Sequence, residues 1–199
     1  MNGFITKSGK ALLALSVTAV LGAAGMGTAH AQSPSADTGR SGTTVGAPRT
    51  AAEAVKAELA KRGPSTADAR IICYRAHVAD IGWQPVVCDG TVAGTAGQSR
   101  AVEALEIATG NVGGLCANAH LRDIGWQGTR CAGDYQNVLV GTTGQARRME
   151  ALSISVGSGT VTARAHVQNI GWMGATRGAS VTVGTTGSSL RLEAVQLWV

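Results

Sequence analysis

Eight residues, Ala165-His166-Val167-Gln168-Asn169-Ile170-Gly171-Trp172, occur three times in this chain: residues 76–83 read AHVADIGW and residues 119–126 read AHLRDIGW. Each copy is followed by a glycine turn (residues 94–97, 141–144 and 184–187) and then by an apolar run carrying Glu103-Ala104, Glu150-Ala151 or Glu193-Ala194. The tryptophans stand 43 and then 46 residues apart. A period in this range marks a repeat architecture. Three units result, residues 72–110, 111–157 and 158–199, and what all three keep is structure common to all three.

Ahead of the repeats the chain changes character twice. Lys7 and Lys10 precede an apolar run over residues 11–24, and Ala29-His30-Ala31 supplies a small-residue cleavage site, so residues 1–31 are expected to be a secretory signal peptide. That run is too short and wrongly flanked for a membrane span, and no second apolar stretch or C-terminal anchor pattern follows, so no membrane insertion is expected. Residues 32–50, rich in Ser, Thr, Gly, Pro and Ala without periodicity, are expected to form a disordered linker. Thr50 and Glu53 then make a capping box opening a helix over about residues 51–61, stopped by Gly63-Pro64, with a connector to residue 71. Its thin apolar stripe, Ala52, Val55 and Leu59, suits either a spacer or a small helix docked on the repeats.

Of the 17 basic residues, 15 remain once Lys7 and Lys10 are cleaved, against 12 acidic ones, and they are scattered, with only the pairs Lys61-Arg62 and Arg147-Arg148 adjacent. Nucleic-acid binding needs a clustered basic face, and none is present. The single Phe is Phe4, which leaves Val, Ile, Leu, Ala and the repeat tryptophans to build a core.

Within each unit, closely spaced glycines punctuate short β-branched runs, which predicts strands. In the first unit they fall near residues 72–79, 83–88 and 101–108. In the last run of each unit the apolar positions change parity at Ala104, Ala151 and Ala194. A regular strand cannot swap faces, so a bulge or bend is expected there. A strand bent identically three times suits an all-β, pseudo-threefold domain, with a β-prism favoured and a β-trefoil as the alternative.

Cys73 and Cys88 are 15 residues apart, as are Cys116 and Cys131, and both pairs occupy the same two repeat positions. The third unit has Thr162 and Arg177 there, losing both partners together. Joint presence and joint absence predict the disulfides Cys73–Cys88 and Cys116–Cys131. Clustered metal-binding spacing is missing.

The motifs resemble the ChW repeat, the clostridial hydrophobic repeat with a conserved tryptophan. Residues 74–83, 161–172 and 184–197 follow its pattern closely, and the resemblance covers about residues 72–199. It implies an exported or cell-surface protein, with polysaccharide or protein ligands. Departures are the two cysteine pairs, Arg100 and Arg147 where the family prefers Leu, and a longer loop over residues 128–140.

Each recurrent residue has two readings. Trp83, Trp126 and Trp172 are expected in the core, where an indole supplies more apolar area than anything else available; sugar-stacking platforms are the alternative. His77, His120 and His166 would either meet at the threefold axis around a metal or, more simply, satisfy half-buried rings against Glu103, Glu150 and Glu193; no metal or cofactor is expected. Asp80, Asp123 and Asn169, with Thr95, Thr142 and Thr185, are candidate contacts for a shallow sugar site, or residues that stabilise turns. No catalytic residue stands out: there is no G-x-S-x-G, no cysteine is left free, and the acids recur in threes. The expectation is a secreted, non-enzymatic protein that binds cell-envelope or environmental polysaccharide. The alternative is a protein–protein module, such as an inhibitor of an extracellular enzyme, with the 128–140 loop as its specific element.

Overall fold

The computed structural model describes Ala47, residues 49–64 and residues 68–199. The segment read as a signal peptide lies outside the described residues, as does the linker apart from Ala47, Arg49 and Thr50. The first element is α1 (Ala51–Arg62), opened by the expected capping box: Glu53 N donates to Thr50 Oγ1 at 3.2 Å and Thr50 N to Glu53 Oε2 at 3.3 Å.

Each repeat then supplies five strands. Repeat one has β1 (Ile71–Val78), β2 (Gly82–Trp83), β3 (Val87–Cys88), β4 (Ala93–Gly94) and β5 (Val102–Gly110). Repeat two has β6 (Leu115–Leu121), β7 (Gly125–Trp126), β8 (Arg130–Ala132), β9 (Val138–Gly141) and β10 (Met149–Val156). Repeat three has β11 (Val161–Val167), β12 (Gly171–Trp172), β13 (Thr176–Gly178), β14 (Ser180–Gly184) and β15 (Leu192–Trp198). The single strand expected over residues 83–88 is two, β2 and β3, interrupted at Pro85, which has no N–H for a ladder.

These strands form three antiparallel sheets around one core, a three-sided prism rather than the barrel of a trefoil. In the first sheet β2 and β3 flank β1, β5 follows, and the far edge is β9 from repeat two. The second sheet repeats this with β7, β8, β6, β10 and β14 from repeat three. The third has β12, β13, β11, β15 and, closing the ring, β4 from repeat one. Every repeat therefore lends its fourth strand to its neighbour's sheet, and none completes a sheet alone.

The core lies where strand alternation puts it. In β6, Leu115, Ala117, Ala119 and Leu121 are buried while Cys116, Asn118 and His120 face outward, and β11 alternates in the same way. The expected irregularity is present: register shifts fall at His77/Val78, Met149/Ala151 and His166/Val167, against Ala104, Ala151 and Ala194. Among the described residues Tyr74 is the one aromatic in the main core, where the other repeats have Ala117 and Ala163. Its hydroxyl donates to Thr91 O at 2.6 Å and accepts from Leu197 N at 2.9 Å, and burial raises its pKa. The exchanged strand β4 spans only two residues, so Tyr74 and Gly90, whose N–H donates to Leu197 O at 2.8 Å, satisfy the edge of β15 that β4 leaves open.

Both disulfides form in the expected pairs, across directly opposed strand residues with Cα atoms 4.0 Å apart. Helix α1 is docked. Ala51, Ala54 and Val55 pack on Ile71, the Cys73–Cys88 bridge and Ala108, covering the outer face of the first sheet. Its first amides are capped by the sheet: Ala51 N donates to Glu106 Oε1 and Ala52 N to Asn137 Oδ1, each at 2.8 Å. The 128–140 loop takes part in the same packing. Asp134 accepts from Val112 N, Gly113 N and Thr109 Oγ1, while Tyr135 packs beneath the helix.

Candidate functional site

Three equivalent rows cross the outer faces of the sheets. In the first, Trp83 pairs with His77, His77 with Ala104, and Ala104 with Gly141 of repeat two. The second runs Trp126, His120, Ala151, Gly184, and the third Trp172, His166, Ala194, Gly94. Each row ends at a seam between repeats, where glycine is obligatory. A Cβ on Gly141 would stand 2.3 Å from Glu103 O and 2.6 Å from Ala104 Cα. The collisions at Gly94 and Gly184 are equivalent, which explains why the glycine turn and Glu-Ala recur together.

The tryptophans are not core residues. His77 lies between buried Ala76 and Val78 and so points outward; Trp83, its cross-strand partner, must do the same. Trp83 and Trp172 are half-buried, and Trp126 is 42% exposed. The difference has a cause: Arg75 lies 4.7 Å over the Trp83 ring and Arg164 4.7 Å over Trp172, while the corresponding residue in repeat two is Asn118. Each indole meets its histidine edge-on, with centroids 5.3, 5.3 and 5.5 Å apart.

The histidines do not converge on the axis; each stays with its own glutamate on a separate sheet. Nδ1 lies 3.1 Å from Glu103 Oε2, 3.3 Å from Glu150 Oε2 and 3.1 Å from Glu193 Oε2, yet is misaligned for a hydrogen bond in all three. These glutamates are buried, and a buried carboxylate needs partners. Arg148 and Arg191 supply them, each placing two nitrogens 3.1 Å from Oε1 of Glu150 or Glu193. The corresponding residue in repeat one is Ala101, so Glu103 has no arginine. Among the described residues no group of three or more His, Cys, Asp and Glu gathers as a metal site, and no helix is long and apolar enough to cross a membrane.

The polar candidates divide. Asp80, Asp123 and Asn169 sit at φ of 65°, 65° and 63° in turns closed by Ile81 N to Val78 O and its equivalents, a conformation that Asx residues tolerate. They are also exposed, beside Ile81, Ile124 and Ile170 at 48%, 47% and 53% exposure. The hydroxyls of Thr95, Thr142 and Thr185 are buried and make no hydrogen bond, so they neither stabilise the turn nor face a ligand. Their backbone amides work instead, donating to Glu193 O, Glu103 O and Glu150 O across the seams.

Composite sites are what sequence reasoning missed. The second seam forms a cavity of about 670 Å3 whose walls include His120, Asp123, Ile124, Arg148 and Glu150 of repeat two and Gly187 and Ser189 of repeat three. The exposed isoleucines, in all three repeats, and the glutamate-bound arginines, in the second and third, carried a signal: recurrence within Ile-Gly-Trp and at a fixed offset from Glu-Ala.

The family model for ChW, clostridial hydrophobic W, matches residues 77–111, 120–157 and 166–199. The chain belongs to the ChW family. Each match runs from the seam histidine through the tryptophan and glycine turn to the end of the last long strand, so one ChW repeat supplies a His–Trp–Glu cluster to one seam and a glycine turn to another. No curated protein and no solved structure matches the chain.

Proposed function

We propose that this ChW protein is a secreted, non-catalytic binding protein that engages polysaccharide through its three seams together. One observation carries the reading: the repeat tryptophans stand at the surface in three equivalent places around one body, each beside an exposed isoleucine and an Asx turn. A partly exposed indole flanked by polar groups is suited to stacking on a sugar ring. Individually such shallow sites are weak, but a polymer with repeating units reaches two or three at once and gains by effective concentration. Export is supported by the apolar N-terminal segment and by two disulfides, which persist in oxidising surroundings. The glutamates favour binding over catalysis, because each is held by its own histidine or arginine rather than facing a second free carboxylate.

The alternative, a partner-specific role for the 128–140 loop, competes with a structural use of the same residues: Asp134 accepts from Thr109 of repeat one, Tyr135 packs against the α1 cluster and Asn137 caps α1. A pull-down on peptidoglycan, chitin, cellulose and starch selects the polymer, and calorimetry with a chain-length series of it tests the mechanism. Affinity for the long chain should exceed that for the disaccharide by roughly 100-fold or more. Trp126→Ala should weaken long-chain binding by a step without abolishing it. A single tight site, equally strong for a monosaccharide, contradicts the proposal.

A further inference from the structure

Because the three sheets are built to one plan, a residue that departs from it in one sheet stands out. One outward-facing row departs in the third, and the row beside it is different in every sheet. In the first sheet Cys73 lies between Cys88 and Ala108, and in the second Cys116 lies between Cys131 and Ser155. The third sheet has Thr162 between Arg177 and Trp198. The next row differs in every sheet: Arg75 lies opposite Glu106 in the first, their charged groups 2.9 Å apart, Asn118 opposite Ser153 in the second, and Arg164 opposite Gln196 in the third. Repeat three therefore has an arginine and a tryptophan where the other two have a disulfide beside a small residue, and in the adjoining row Arg164 faces the neutral Gln196. The corresponding face of the first sheet is covered by α1, whereas this one carries a cavity of about 620 Å3 lined by Thr160, Thr162, Arg164, Ala175, Arg177 and Trp198, with Val199 beside them.

The arginines are positioned but not neutralised. Arg164 Nε donates to Gln196 Oε1 at 2.6 Å, and its guanidinium rests on Trp172. Arg177 Nε donates to Thr160 Oγ1 at 3.0 Å. Among the described residues no carboxylate, that of Val199 included, lies within 4.0 Å of either guanidinium, and their terminal nitrogens make no hydrogen bond. A planar guanidinium fork matches a carboxylate. An indole beside it offers apolar surface to a pyranose ring, and two threonine hydroxyls can meet ring hydroxyls. The volume lies in the range of small-ligand pockets.

We propose that this cavity is a binding site for a carboxylate-bearing sugar, a uronic acid unit, held by Arg164 and Arg177 against Trp198. It adjoins the third seam, because Arg164 rests on Trp172, and its pair of arginines occurs in the third sheet alone.

The test is calorimetry of the mature protein at low salt with trigalacturonate, its neutral methyl ester and triglutamate. Trigalacturonate should bind with one-site stoichiometry, and the ester at least tenfold more weakly. Arg177→Gln should lose at least tenfold. Thr162→Cys with Arg177→Cys, which recreates the bridge of the other two sheets, should abolish uronate binding while keeping or raising the melting temperature. Trp126→Ala, a change at a seam, should leave uronate binding intact, so the two sites fail or succeed separately. The proposal is overturned if the ester binds as well as the acid, if Arg177→Gln binds as wild type does, or if triglutamate binds as tightly as trigalacturonate.

Discussion

At residues 94, 141 and 184 a side chain has no room, because the exchanged strand passes directly over the Glu-Ala peptide of the neighbouring repeat. Positive φ alone would not make these glycines necessary, since Asp80, Ser99 and Tyr135 adopt it in the same molecule. Gly144, at φ 68° with nothing near its missing Cβ, separates the two effects from Gly141, at φ 92° and in collision. Gly144→Ala should cost about 1–2 kcal/mol, the left-handed penalty. Gly141→Ala should cost roughly 2–5 kcal/mol, because overpacking against backbone adds to that strain. Chemical denaturation of both variants checks this; equal losses would show that the seam has slack. The tryptophan placement belongs to this scale too. Recurrence and the lack of other aromatics suggested a core, but Ala76 and Val78 already put His77, and hence its cross-strand neighbour Trp83, on the other face.

Among the elements, β15 depends on a residue from the opposite end of the repeat array. Its exchanged partner β4 covers Ala194 and Val195, and Tyr74 bonds the Leu197 amide beyond them. Tyr74→Phe leaves that amide and Thr91 O without their partner and should cost about 1–3 kcal/mol. The hydroxyl also sets a pH dependence. Burial raises its pKa, so the folded state holds the proton more tightly than the unfolded chain, whose tyrosines titrate near pH 10. The stability this contributes is fully present below about pH 10 and is lost above it. Melting measurements from pH 8 to 11 should show an alkaline fall that is smaller in Tyr74→Phe; identical profiles would remove Tyr74 as its source. At this scale much was legible in the sequence. The parity change at Ala104, Ala151 and Ala194 located the bulges, and the shared spacing of the cysteines gave both bridges. The exchange of β4, β9 and β14 was not legible, because local pattern shows that a strand exists but not which sheet accepts it. The helix was readable from its cap, while its docking depended on Glu106 and Asn137, far away in the chain.

Over the whole molecule, three lent strands make a closed ring in which every seam belongs to two repeats, and the proposed multivalent surface exists only if that ring is shut. Two of the junctions join repeats adjacent in sequence; the third joins β4 near the start of the array to β15 at its end. Three equivalent amides report on the seams: Thr142 to Glu103 O at 2.9 Å, Thr185 to Glu150 O at 2.9 Å, and Thr95 to Glu193 O at 2.7 Å. Native-state hydrogen exchange reads each one separately. A closed ring predicts that Thr95 is protected to the same degree as Thr142 and Thr185, and that all three open with the global unfolding of the domain. Thr95 exchanging at the rate of an exposed loop, while the other two remain protected, would mean an open array of repeats and would contradict the account.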